Sequence, residues 1–514
     1  MIASCQHMSS SLAPVEINYP GSGLVRELAP LMRLRWLQLL VLAFLLVVVG
    51  VVAFQLKLSV LDLDIWWHLK VGDWIVQHAA FPHNGILSRT AANRPWAAYS
   101  WGYEVLLSRF YAWFGLLGIG LYGTLLTLAV AFSVYWMVRR LSGRFWRACC
   151  LAAGCCYAFL FLMMPRPVFF SIALLCVTLK LVLEAQSSGR VQTLYWLPLV
   201  FFFWANLHIQ FIYGLAVAGL LLACNAAQRF ASRLGIALAY LEAPTLPSGA
   251  LAAVVGGCVL ATLISPYSYH LYGVVFEYSR STLIYSMIKE LQPLSFRAYE
   301  HYVELLLAGA AFFAVGWQKK IDLFKLALLA MACVVAFRTM RDSWFLCIAA
   351  AACIADAGAA DAEREPQETP WELAGVFASV AVVLLLFAGG ADFNTRGLDE
   401  AISGRFPVNA VNFLRQNPVP GPLYNTFDWG GFLTWYLPNY PVVVDGRTDL
   451  YGDELNKLLF DTQSGDISYK NNPYLNEAGL VILHKQDGLV SALQLDPRFR
   501  KIYEDQIATV FARQ

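Results

Sequence analysis

Charge is what this sequence has least of. Asp, Glu, Lys and Arg make up 14% of its 514 residues, hydrophobic residues make up 58%, and the mean hydropathy is +0.55. That deficit excludes an ordinary soluble chain. The net charge is only +2 and no basic tract is present, which removes the electrostatic footprint of a nucleic-acid binder. No cysteine lies beyond residue 390, so disulfides cannot staple the C-terminal segment. Ten of the eleven cysteines fall in apolar stretches, where they read as small hydrophobes, and none has a metal-site spacing with histidine. No internal repeat at solenoid spacing is present. A cleavable signal is also missing: residues 1–32 are mixed and partly polar, and no small-residue cleavage site follows the first apolar run. That run reads as a retained first span.

What is present is a succession of apolar runs long enough to cross a bilayer. They lie at 36–56, 115–138, 146–164, 168–185, 193–207, 210–227, 249–265, 302–317, 321–337, 343–358 and 372–389. The expectation is a polytopic α-helical membrane protein of about eleven spans. Basic residues set its orientation. Arg26, Arg33 and Arg35 precede the first run, and Arg139, Arg140, Arg144 and Arg147 separate the second from the third. Arg229 and Arg233, then Lys319 and Lys320, occupy later alternate loops. All therefore fall on one side, the cytoplasmic one. Three regions follow: a cytoplasmic segment 1–35, a transmembrane module 36–389 that includes an outward first loop 57–114, and an outward segment 390–514.

The last region changes character. Val408–Gln416, Asp453–Phe460 and Gly488–Leu493 have helical patterns, while Val442–Val444 and Leu480–Leu483 read as strands. Alternation at this scale predicts a small C-terminal extracytoplasmic α/β domain. Asp445 and Arg447 would then follow a strand, a position suited to ligand binding, although a strand-ending turn with an internal ion pair reads equally well. Phe427-Asp428-Trp429-Gly430-Gly431 is either a functional loop or a turn into a helix.

The first loop opens on Asp62-Leu63-Asp64-Ile65-Trp66-Trp67-His68. Two carboxylates at a membrane mouth are costly unless they are solvated, paired or used. In a helix they would point apart; in an extended segment they would share a face. Trp66 and Trp67 read either as an aromatic belt at the headgroup level or as ligand contacts. Trp67, Val71, Trp74 and Ile75 have helical spacing, predicting an amphipathic helix over 65–78 on the membrane surface, with Asp64 at its N-terminal end. Further polar residues collect at outward turns: Arg166, Asn206, His208, Tyr267, His270, Glu290, Arg338, Arg341 and Asp342. Arginine is unexpected in outward turns, and a bound anion such as a lipid phosphate would explain Arg166, Arg338 and Arg341.

These patches resemble the GT-C superfamily of membrane glycosyltransferases, and more closely a bacterial branch with family-39-like members. The resemblance is carried by the string Asp62–Trp74 with Pro82 and Ser88-Arg89-Thr90. Arg94-Pro95-Trp96, Trp101 with Glu104, Arg166-Pro167, Trp204–His208, Ser265-Pro266-Tyr267 and Asp445–Gly452 extend it along the chain. It departs from many members at the acidic motif, where Leu63 separates two aspartates and a double tryptophan follows.

The resemblance implies an inverting glycosyltransferase in the bacterial inner (plasma) membrane, acting in the cell envelope. Its donor would be a polyprenyl-phosphate-linked sugar and its acceptor a lipid, glycan or protein. By position, Asp64 is the first choice for the general base and Asp62 the second. Arg166, Arg338 and Arg341 would hold the donor phosphate, while His68, Trp67, His208, Tyr267 and Glu290 would contact donor or acceptor. Asp62 and Asp64 together would suit Mg²⁺ or Mn²⁺ as a cofactor. Two other classes stay open: a transporter or flippase for a lipid-linked or anionic solute, and a non-catalytic membrane scaffold whose outward domain binds a glycan or partner. Charges deep within the spans are scarce, which disfavours transport.

Overall fold

The computed structural model describes residues 35–55, 57–159, 162, 164–235, 240–358 and 395–514. Ten of the eleven apolar runs fall wholly or mostly on these residues, and each coincides with a helix there. The run at 372–389 and most of the segment 1–35 lie outside them. Four of the helices, Arg35–Leu61, Leu116–Ser142, Val168–Ser188 and Phe211–Arg233, are long and apolar enough to cross a membrane. The shorter Phe145–Ala158, Leu197–Leu207, Ser248–Thr262, Tyr299–Gly316, Leu323–Arg338 and Ser343–Ala357 complete the bundle. At its centre, Ser343–Ala357 is buried from Ser343 to Cys353 and holds small residues, Ala349–Ala352, which allow close approach of its neighbours.

The helix Ile65–His78 matches the expected amphipathic segment, but its apolar face is covered by protein. Protein covers it on both sides: eight of its residues, including Trp66, Trp67 and His68, are buried. Nor are the tryptophans a belt. Trp66 is fully buried and meets Phe406, Phe432 and Tyr436 of the C-terminal segment edge-on, with ring centroids 5.2–5.9 Å apart. A ring this large gains more from a preformed aromatic socket than from a headgroup layer. On the opposite side, Gly72 presses against the Glu104 carbonyl of the helix Trp101–Phe114, where any larger side chain would clash.

The C-terminal segment carries a four-stranded sheet in the order β1-β2-β4-β3, with β1 Leu423–Asn425, β2 Leu480–His484, β3 Phe499–Glu504 and β4 Ala508–Arg513. β1 and β2 are parallel, and the other pairs are antiparallel. Helices Val408–Gln416, Gly430–Tyr436, Thr448–Gln463 and Gly488–Gln494 surround it. Val442–Val444, expected as a strand, is not one. Its backbone groups are met by Asn425, whose side chain bonds Val443 N and Val444 O, and by the first loop. Arg89 N donates to Val442 O at 2.8 Å, and Thr90 Oγ1 to Val443 O at 2.5 Å. The buried valines therefore mark the seam between first loop and C-terminal domain. Phe427–Trp429 is a turn that leads into the helix Gly430–Tyr436.

Candidate active site

Asp62 has extended backbone and Asp64 caps the helix Ile65–His78, so the segment between two helices lets both carboxylates reach one side. They converge on Arg166. Its guanidinium grips Asp62 in a fork, Nε to Oδ2 at 2.8 Å and Nη2 to Oδ1 at 2.9 Å. Nη1 bonds Glu290 Oε2 at 3.0 Å, and Nη2 stands 3.6 Å from Asp64 Oδ2. Pro165 and Pro167 fix the backbone on either side of the arginine. Charge-assisted, bidentate geometry of this kind holds Asp62 in one place.

Asp64 is held more lightly. Its Oδ1 accepts a bond from Trp67 Nε1 at 3.0 Å, and about a quarter of its side chain is exposed (24%). Burial raises its carboxyl to about 6, against the pull of Arg166, with Asp62 adding to the rise. Arg341 also acts on this carboxyl. The short turn carrying Arg341 is fastened at both ends: Met340 N donates to Gln292 O, two residues from Glu290, and Asp342 accepts bonds from Thr339 and Gln210. Arg341 itself has no hydrogen bond or ion pair among the described residues; burial opposes its charge, but its surroundings, Glu290 among them, raise its pKa overall.

His68 lies beneath, its Nδ1 3.0 Å from Glu104 Oε1. Burial, with Arg166, Arg447 and Arg341, holds the imidazole well below its ordinary value, so it is neutral at pH 7. Burial lifts Glu104 well above the carboxylate range. His208 is buried, with Nδ1 2.8 Å from Ser171 Oγ. Trp204 Nε1 donates to the same hydroxyl, and the imidazole tautomer sets which way the Ser171–His208 bond runs.

The C-terminal domain closes the site. Arg447 and Asp445 form a buried pair, with Nη2 2.6 Å from Oδ2 and Nε 2.9 Å from Oδ1. The Arg447 guanidinium lies over Trp96 at 4.7 Å and over Trp67 at 6.0 Å. Arg447 also donates to Ile86 O of the first loop. Arg447 Nη1 and Glu104 Oε2 are both buried without a partner among the described residues, and the arginine lowers the carboxyl's pKa. Gly446, between Asp445 and Arg447, abuts Asp64: a methyl group there would overlap the Asp64 carboxylate. Trp96 Nε1 donates to Asp449 Oδ2 at 3.1 Å, and burial raises Asp449 to about 6.

The structure thus brings together Asp62, Asp64, Trp67, His68, Arg166, Glu290 and Arg341, with Asp445 and Arg447 behind them. Three residues are used differently: His208 is bonded to Ser171, away from the aspartates. Arg338 is exposed over the Tyr285 ring at 5.4 Å and does not touch the aspartates. Tyr267 is buried, and its hydroxyl donates to Pro82 O, tying down the first loop. Tyr99 and Tyr278 carry no sequence signal, because a lone tyrosine looks the same at a turn and at a site; Gly446 lies in the Asp445–Gly452 stretch, but nothing in that stretch signals its contact with Asp64. A divalent cation does not fit the carboxylates as arranged. Arg166 occupies the point on which Asp62, Asp64 and Glu290 converge, and among the described residues no three metal-binding side chains are grouped for an ion.

No protein-family model matches the sequence, and no curated protein shows significant sequence similarity to it. Solved structures do resemble the fold. The archaeal oligosaccharyltransferase AglB from Archaeoglobus fulgidus, solved with an inhibitory peptide and a dolichol-phosphate, aligns at a TM-score of 0.51 and 12% identity. That alignment covers 86% of this chain and 69% of the other. ArnT from Cupriavidus metallidurans, bound to undecaprenyl phosphate, aligns over 91% of this chain and 97% of its own at 14% identity. Its TM-score of 0.46 is too low to bear on the fold. The likeness is one of architecture alone: over most of its length this chain shares its fold with the AglB structure.

Proposed function

We propose that this protein is an inverting membrane glycosyltransferase that moves a sugar from a polyprenyl-phosphate-linked donor to an acceptor hydroxyl, at the extracytoplasmic face of a bacterial inner membrane. The observation that carries the proposal is the contrast between the two aspartates. Asp62 is locked into the Arg166 fork, while Asp64 is partly exposed at a helix end, lifted to about 6, and lies in the field of Arg341, which makes no ion pair among the described residues.

The chemistry follows from those positions. The acceptor oxygen forms a bond to the anomeric carbon as the bond from that carbon to the phosphate oxygen breaks. The acceptor proton passes to Asp64, whose pKa just below neutral suits a base that must be ionised yet basic. Arg341 is the group available for the charge on the departing phosphate, since Arg166 is committed to carboxylates and Arg338 points elsewhere. Asp62, Arg166 and Glu290 act as positioning residues that set Asp64 against Arg341. His68, neutral and bonded to Glu104, adds no charge to compete with the donor.

The test uses purified full-length protein and a polyprenyl-phosphate sugar, following release of polyprenyl phosphate. Wild type should turn the donor over, Asp64→Asn should lose at least about a hundredfold, and Arg341→Ala should weaken donor use. Turnover that survives Asp64→Asn defeats the assignment, and no turnover by wild type defeats the reaction.

A further inference from the structure

A cavity of about 370 Å³ lies between the first loop, the helix His270–Arg280 and the start of the helix Thr448–Gln463. That volume is in the range of small-ligand sites. Two kinds of surface line it. Trp96 and Tyr278 contribute aromatic rings, while Glu277, Asp449 and Asp453 contribute three carboxylates against one guanidinium, Arg280. Arg280 is stacked on Phe276 at 3.8 Å. Asp453 accepts bonds from Ser281 Oγ and Leu283 N, which fastens the helix His270–Arg280 to the C-terminal domain. Glu277 is exposed and has no partner among the described residues.

The cavity shares its inner wall with the site. Asp449 is bonded to Trp96, and the far side of that ring system is held by Arg447, which also lies over Trp67, the donor to Asp64. Through Trp96 and Arg447 the acidic cavity therefore adjoins the wall of the site that holds Asp64.

We infer that this cavity is the acceptor subsite and takes a neutral or amine-bearing carbohydrate, with a sugar ring against Trp96 and Tyr278 and its hydroxyl or ammonium groups on Asp449 and Glu277. The inference rests on the glycosyltransferase reading above. Carboxylates and aromatic rings are the surfaces that a polyol can use together: the carboxylates accept its hydroxyls, and the rings cover its apolar C–H face. The excess negative charge rejects an anionic acceptor, while Arg341 draws the anionic donor. Opposite electrostatics would sort two substrates to two sides of one base.

Saturation-transfer NMR on the full-length protein in detergent tests this, with D-glucosamine as the probe and D-glucuronate as the anionic control. Saturation should reach the ring protons of glucosamine but not those of glucuronate. Affinity for glucosamine should fall roughly tenfold in Asp449→Asn or Glu277→Gln, about the loss of one charged hydrogen bond. Glu277 is on an exposed helix face, so its variant keeps the fold. A drop in either variant supports the subsite. Absent saturation, equal binding of glucuronate, or unchanged affinity in both variants overturns it. Donor turnover by wild type is followed in parallel. Turnover without glucosamine binding sinks the subsite alone, whereas binding without turnover sinks the transferase reading and with it the acceptor role.

Discussion

Gly446 of the C-terminal domain presses against Asp64 of the first loop so closely that no β-carbon fits between them. The same glycine Cβ position would also lie 3.0 Å from Trp67 Nε1, the donor that orients Asp64. Gly446→Ala should therefore displace the carboxylate without touching the charges around it. The expected result is a loss of transfer of about a hundredfold, the cost of a misplacement near 1 Å, with stability lowered by about 1–3 kcal/mol. Gly404→Ala, at a helical glycine with open space around it, is the control and should leave transfer unchanged. Transfer rates of the two variants decide the matter.

The pH dependence follows from the raised Asp64 carboxyl. Its pKa is about 6, and a base works only when ionised, so the rate should be flat above neutral and fall tenfold per unit below pH of about 6. Arg341 lowers the Asp64 pKa, so Arg341→Ala should move this acid limb upward as well as weaken donor use. An acid limb that stays in place in the variant would mean that Arg341 does not face the base. Rate profiles over pH 4.5–8.5 on both proteins make the comparison.

Arg166 and Arg338 look alike in sequence and should behave unlike each other. Arg166→Ala leaves buried Asp62 facing Asp64 and Glu290 without the shared cation, a loss of about 3–5 kcal/mol. Arg166→Lys should recover only part of that, because an ammonium cannot form the fork. Arg338→Ala, at an exposed site, should change stability by no more than about 0.5 kcal/mol. Thermal unfolding in detergent distinguishes them. Since Arg166 stands where a cation would, EDTA should leave the wild-type rate within about twofold.

Trp66 tests the junction between the two parts of the molecule. Trp66→Ala empties a fully buried aromatic socket and should cost about 3–5 kcal/mol. Its Nε1 is buried with no partner among the described residues, so Trp66→Phe removes an unpaired donor along with some ring area. It should lose far less than the alanine variant. Limited proteolysis of the C-terminal domain should follow the same order.

Much of this arrangement was legible in the residues themselves. Hydrophobic runs located the helices to within a few residues, and the first-loop helix came out at Ile65–His78 because its period is clean. The pairing of Asp62 and Asp64 on one side was one of two open geometries, and the backbone between two helices decided for it. What composition could not reveal was burial by a distant segment. The helix 65–78 has an amphipathic pattern, and its covering by the aromatic socket of Phe406, Phe432 and Tyr436 comes from residues more than 300 positions away. Val442–Val444 failed as a strand for a related reason. Its apolar side chains are buried as in a strand, yet its hydrogen bonds go to Asn425 and to residues 87–90. Three arginines drew one explanation, a bound anion, but local partners give each a different fate, and partners are set by tertiary structure.

The seam formed by Ser88, Thr90 and Val443 joins positions 353 and 355 residues apart in the chain. Contacts of such separation close late. The carboxylates are made early, but Gly446 and Arg447 reach them only after the more than 350 residues between them have been synthesised. Until then, Asp64 lacks the wall that fixes it and Trp66 lacks its socket, so a nascent or truncated chain would carry the acidic motif in an inactive form. Competence to react would thus mark the completion of biogenesis, and any quality-control system sensing exposed aromatic surface would meet its target in the same interval.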